Sequence, residues 1–272
     1  MRREAIALLA LSCMLIVGCR AMERLTFIRP SAKRGEYTQV APTYDVSGKN
    51  QKQRQGAGDA TLLLVSATTL YQRGELQQSE RQARRALELA PRSADAHTLL
   101  GLIADARGDA KTAGAHYRQA VEVMPDKGVY ANNYGGWLCA NGQPQESLAW
   151  FDRALADGSY ASPASALVNA GSCARKAGLP ERAEAGWRAA LGIDPKNLLA
   201  LSGMAHLQYD SGRALEARAF VERWLELAPS DRDALQLAVG IEQKLGDNVA
   251  ASRYLSRLQA LPPASTTVPR TQ

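Results

Sequence analysis

The chain has 272 residues, 46% of them hydrophobic but only 6% aromatic, with a formal net charge of +6 and a pI near 9.2. Abundant Ala and Leu and the lack of any long β-branched run exclude a β-rich fold and predict an all-α one. The basic excess does not mark a nucleic-acid-binding domain, because residues 20–57 carry +5 of it, residues 1–19 carry +1, and residues 58–272 hold 23 charges of each sign.

Residues 1–18 predict a lipoprotein signal peptide. Arg2 and Arg3 precede an apolar run, Ala5 to Val17, that is too short to span a bilayer as a mature helix. The run ends in Ile16-Val17-Gly18-Cys19, which resembles the lipobox of bacterial lipoproteins. The resemblance implies lipidation of Cys19, and several acyl chains at ~0.8 kcal/mol per buried methylene would make that attachment stable. Arg20 follows where an Asp would resemble an inner-membrane retention signal, so the expected location is the periplasmic face of the outer membrane, held by the lipid. Residues 19–57 read as the lipidated Cys and a disordered basic tether, with an end-to-end distance of roughly 35 Å as a flexible coil. Its charge suits anionic head groups or simply keeps a linker solvated.

From residue 60 the sequence repeats. Gly recurs at 74, 108, 142, 178, 212 and 246, and Pro at 91, 125, 195, 229 and 263, with Ser159 in the missing place. Repeats starting near 60, 94, 128, 164, 198 and 232 bring the rest into register, with two extra residues within Asp157 to Ser162. A 34-residue helix–turn–helix period is the tetratricopeptide signature, so residues 58–262 predict a superhelix of six such repeats, and 263–272 a flexible tail. The Gly at position 15 suits a left-handed helix end, and the Pro at position 32 stops the second helix. Position 8 is small in five repeats and position 20 in all six. Position 24 is bulky (Tyr117, Phe151, Trp187, Val221, Leu255) and should fill the space between repeats. Trp224 and Val239 replace small residues, which predicts looser or differently angled packing near the C-terminal end.

The chemistry of an enzyme is missing. His97, His116 and His206 fall at positions 4, 23 and 9, which point in different directions, and no metal-ligand spacing, phosphate loop or nucleophile motif occurs. No cofactor, small-molecule substrate or nucleic-acid partner is expected. A solenoid does offer a concave groove, lined by positions 2, 5, 9 and 12 of the first helices. The residues expected to make contacts there are Leu64, Thr68, Tyr71, Thr98, Leu102, Asp105 and Asn132. The groove lacks the Lys/Arg/Asn clamp that would hold a peptide carboxylate, and its first repeats offer apolar residues to a strand or peptide. Once Cys13 leaves with the signal and Cys19 takes lipid, Cys139 and Cys173 remain, at positions 12 and 10 of adjacent first helices. They read as a disulfide clamping repeat three to repeat four, worth roughly 3–4 kcal/mol in the chain-entropy model, or as two buried thiols.

The stretch Asn132-Asn133-Tyr134-Gly135-Gly136-Trp137-Leu138-Cys139, continued by Glu146 to Leu155 and Ala170-Gly171-Ser172-Cys173, resembles the type IV pilus biogenesis and stability lipoproteins, the PilF/PilW pilotin family. The resemblance implies an outer-membrane lipoprotein that binds the pilus secretin and helps it to localise and multimerise, and it brings no catalytic residues. The alternative is an adaptor lipoprotein of the same repeats serving β-barrel assembly, a tight-adherence pilus or murein enzymes.

Overall fold

The structure, a computed structural model, describes residues 55–262. They form twelve helices: α1 (Gln55–Gln72), α2 (Leu76–Leu89), α3 (Ala94–Ala106), α4 (Ala110–Val123), α5 (Gly128–Ala140), α6 (Pro144–Ala156), α7 (Pro163–Lys176), α8 (Pro180–Ile193), α9 (Leu198–Asp210), α10 (Ala214–Leu227), α11 (Arg232–Leu245) and α12 (Asn248–Gln259). Consecutive helices pack in antiparallel pairs, and each pair stacks on the next. The signal peptide, Cys19, most of the tether and the tail lie outside the described residues. Helix α1 already includes Gln55, Gly56 and Ala57, which were expected to belong to the tether.

The repeated glycines account for the turns. Gly74, Gly108, Gly142, Gly178, Gly212 and Gly246 all have φ between 73° and 84°, a left-handed conformation that a Cβ would strain. Second helices end two positions before Pro91, Pro125, Pro195 and Pro229. Pro144, Pro163 and Pro180 open α6, α7 and α8, where a missing N–H is harmless. Ser93, Asp109, Asn197, Asp231 and Asp247 cap helices by accepting a backbone N–H three residues on.

Small residues at positions 8 and 20 let helices approach. The bulky residue at position 24 packs on the glycine at position 8 of its own repeat: Tyr117 on Gly101, Phe151 on Gly135 and Trp187 on Gly171. Trp187 also reaches Gly203 of the following repeat, where a Cβ would sit 2.5 Å from its ring. One side chain therefore serves both the repeat and the junction. Leu255 is the exception. It is exposed because no seventh repeat follows it among the described residues. Trp224 is buried in the cluster formed by repeats five and six, alongside Val221, Leu225 and Leu235, so its bulk is accommodated in a filled core. Trp137 and Trp150 are half-buried around Tyr134, whose ring stacks on the first and meets the second edge-on.

The two-residue insertion makes its own contacts. Asp157 accepts hydrogen bonds from the backbone N–H of Gly128 (2.8 Å) and of Ser159 (2.9 Å), tying the loop to the start of α5. These bonds, with the Ser159 hydroxyl, hold its carboxyl down at about 2. Tyr160 packs against the backbone at Gly128.

Candidate functional site

The wall formed by the first helices α1, α3, α5, α7, α9 and α11 is less open than the repeat positions suggest. Leu64 and Leu102 are each 4% exposed and belong to the core clusters of repeats one to three. Thr98 is fully buried and donates its hydroxyl to the Ala94 carbonyl at 2.9 Å. Asn132 is fully buried and accepts from the Asn169 amide at 3.0 Å. These four are interior residues, a correction to the expectation that they line the groove. Adjacent first helices stand so close, through their small residues, that position 5 is covered in the first four repeats and emerges only at Ser202 and Gln236.

Thr68, Tyr71 and Asp105 do reach the wall, each half-buried. Asp105 accepts from the Tyr117 hydroxyl at 3.0 Å, and Asp95 from the Tyr130 hydroxyl at 2.9 Å. Burial raises the Asp95 carboxyl against the effect of that bond, and raises the Tyr71 phenol with help from Asp105. The early wall is thus tyrosine-lined and acidic. The aliphatic character expected of it has gone into the core.

In the middle the wall closes. Cys139 and Cys173 are joined by a disulfide, with Cα atoms 5.9 Å apart, within the usual range for such a bridge. Gly136, Ser165, Val168 and Ser172 are buried around it. Repeats three and four therefore meet along a sealed seam.

The wall opens again at repeat five. Leu199 is 40% exposed there, beside half-buried Ser202, His206 and Tyr209. His206 lies 3.0 Å from the Asp233 carboxylate, Arg175 pairs with Asp210 at 2.9 Å, and the Lys244 ammonium sits 3.7 Å from the Tyr209 ring centre. The Tyr–Asp bonds and this ion-paired ledge were missed by sequence reasoning. Asp95, Asp105, Arg175, His206 and Tyr209 stand at positions 2, 9 and 12, where lining residues are expected, whereas their partners Tyr117, Tyr130, Asp210 and Lys244 do not. The wall as a whole offers two polar, aromatic contact zones on either side of a sealed centre, which suits an extended polypeptide. No group of three or more His, Cys, Asp or Glu side chains placed to hold a metal occurs among the described residues.

His97 and His116 do not point apart, as their repeat positions suggested. Their Nδ1 atoms lie 3.2 Å apart at the contact between α3 and α4. This pair is on the repeat body, away from the wall positions.

Family models of the tetratricopeptide repeat match residues 64–127 and 138–197, and a second such model matches residues 174–240. The type IV pilus assembly protein PilF of Pseudomonas aeruginosa is 26% identical over 217 residues, which cover 80% of this chain and 85% of that protein. The crystal structure of PilW, a widely conserved type IV pilus biogenesis factor, superposes with a TM-score of 0.71 at 29% identity, covering 76% of this chain and 95% of PilW. A structure of Pseudomonas aeruginosa PilF superposes with a TM-score of 0.72 at 24% identity, over 78% of this chain and 96% of its own. Cellulose synthase operon protein C of Xanthomonas axonopodis is 29% identical over 203 residues, which cover 72% of this chain but 13% of that much longer protein.

Proposed function

The chain belongs to the tetratricopeptide repeat family and is homologous over most of its length to PilF and PilW, and from that premise we propose that it is a pilotin. In this reading it is anchored through lipid on Cys19 to the periplasmic face of the outer membrane. There it binds the type IV pilus secretin and promotes the secretin's localisation and multimerisation, as a scaffold without catalysis. The observation that carries the reading is the likeness to PilF and PilW across some four-fifths of this chain and most of each relative. A wall with two polar, aromatic zones and no convergent catalytic set is consistent with a binding role. The lipobox resemblance and Arg20 support the location.

The test is a gene deletion read on the secretin itself. Loss of the heat-resistant secretin multimer from the outer-membrane fraction, together with loss of twitching, is the expected result, and Cys19→Ala should reproduce it by releasing the protein from that membrane. Thr68→Arg and Leu199→Arg, placed on the two open zones, should each weaken secretin capture while helicity is retained. If the deletion strain keeps its outer-membrane multimers and still twitches, the pilotin reading fails.

A further inference from the structure

Positions 4 and 23 of a repeat carry, in order along the chain, Leu63 with Gln82, His97 with His116, Ala131 with Trp150, Leu167 with Gly186, Leu201 with Phe220 and Leu235 with Tyr254. Five repeats place at least one aliphatic or aromatic side chain there, as a helix-to-helix contact in a core requires. Repeat two alone places two imidazoles, so the solenoid does not demand them. The rings are half-buried, with centroids 5.4 Å apart and planes inclined at 40°.

Their two Nδ1 atoms, at 3.2 Å, have the separation of a chelate. An imidazole nitrogen binds zinc at about 2.0–2.1 Å, so two such nitrogens stand about 3.3 Å apart in a tetrahedral shell, and about 2.9 Å apart at the right angle of a tetragonal copper shell. The observed spacing falls between those values. We propose that His97 and His116 form a two-imidazole site for a divalent transition-metal ion, Cu2+ or Zn2+, with water completing the shell on the exposed side.

Proton balance favours such binding. As a hydrogen-bonded neutral pair, one ring carries its proton on Nδ1 and donates to the other. On a metal ion both rings carry it on Nε2, so at neutral pH the ion displaces no net proton. Burial helps by keeping both rings uncharged. The facing charges work slightly against a cation: Arg84 repels it more than Glu80 attracts it, and Glu80 is also engaged by Arg84 and Arg107. With only two protein ligands the site is one of modest affinity, stronger for copper than for zinc. Because the ligands come from two helices, the ion would clip α3 to α4 within the second repeat.

The test is a titration of the full-length protein with Cu2+ in chelator-free buffer. One ion per chain, an electron paramagnetic resonance spectrum showing two equatorial imidazole nitrogens, and a raised melting temperature are expected. His97→Gln and His116→Gln should each weaken binding at least tenfold with helicity unchanged, and His206→Gln should leave it intact. One-to-one binding that survives either repeat-two substitution, or the absence of such binding, overturns the proposal. Should a variant fail to fold, the copper spectrum of the unaltered protein decides, and a signal without two imidazole nitrogens counts against the site. None of these readouts depends on the secretin.

Discussion

At the α3–α4 contact, burial above all, then the charges of His97 and Arg84, hold the His116 imidazole down at about 4, with His97 lowered as well. An unfolded chain returns both to about 6.5. Between about pH 6.5 and 4 the unfolded state therefore binds more protons than the folded one, and stability falls as the pH drops through that window. Asp157, held at about 2 by backbone bonds from Gly128 and Ser159 and the Ser159 hydroxyl, contributes stability that is present above about pH 4 and is lost on going down through 2. Melting temperatures measured across pH in chelator-containing buffer should thus decline in two stages. His116→Gln should flatten the upper stage and Asp157→Asn the lower. The left-handed glycines and the cysteine pair were legible in the sequence because each has one strong reason for its place. The histidine pair was not. Repeat positions assign a direction on a helical wheel, whereas positions 4 and 23 meet only once two wheels are set side by side.

Among the elements, a repeated clasp joins neighbouring second helices. In repeats three, five and six, the Arg at position 26 donates to the carbonyl of the preceding repeat's Pro at position 32: Arg153 to Pro125 (3.1 Å), Arg223 to Pro195 (2.8 Å) and Arg257 to Pro229 (2.9 Å). Each guanidinium also lies over the aromatic at position 23, with Trp150, Phe220 and Tyr254 centred 4.6, 5.9 and 5.5 Å away. The proline thus ends one helix and leaves its carbonyl for the next repeat's arginine. Position 26 is Gln119 in repeat two and Ala189 in repeat four. The junction between repeats three and four carries the disulfide and the Asp157 loop instead, and the first junction carries the Glu80–Arg107 ion pair. Arg223→Ala should cost about 2 kcal/mol, the low end of the sum expected of an exposed cation–π contact and one charged hydrogen bond. Combined with Arg153→Ala, in a distant repeat, the losses should add. Urea unfolding curves of the two single variants and the double variant check the magnitude and the additivity. The Arg–aromatic–Pro spacing was present in the sequence, but three copies in six repeats do not stand out beside a glycine found in all of them.

For the molecule as a whole, stacking in one dimension means that each repeat is held only by its neighbours. Both ends consequently show surface that the middle hides. Leu62 is 67% exposed in the first repeat and Leu255 42% exposed in the last, at positions that the inner repeats bury. The number and order of repeats followed from the sequence because the period is strict. The depth of each wall residue did not. Leu64, Thr98, Leu102 and Asn132 share positions with open residues in repeat five, and only the closeness of the neighbouring helix decides which are covered. The disulfide has a bearing on tension as well as on stability. Cys139 and Cys173 are 34 residues apart in sequence yet 5.9 Å apart between Cα atoms. A pull applied to the two ends of the chain passes through the sulfur–sulfur bond and bypasses everything between. At about 3.3–3.6 Å per extended residue, the bridge withholds roughly 110 Å of contour from any stretching. In single-molecule pulling, the oxidised protein should reach full extension that much sooner than the reduced one. A protein tethered at one end and loaded at the other would keep its central helices linked even after the outer repeats had been drawn out.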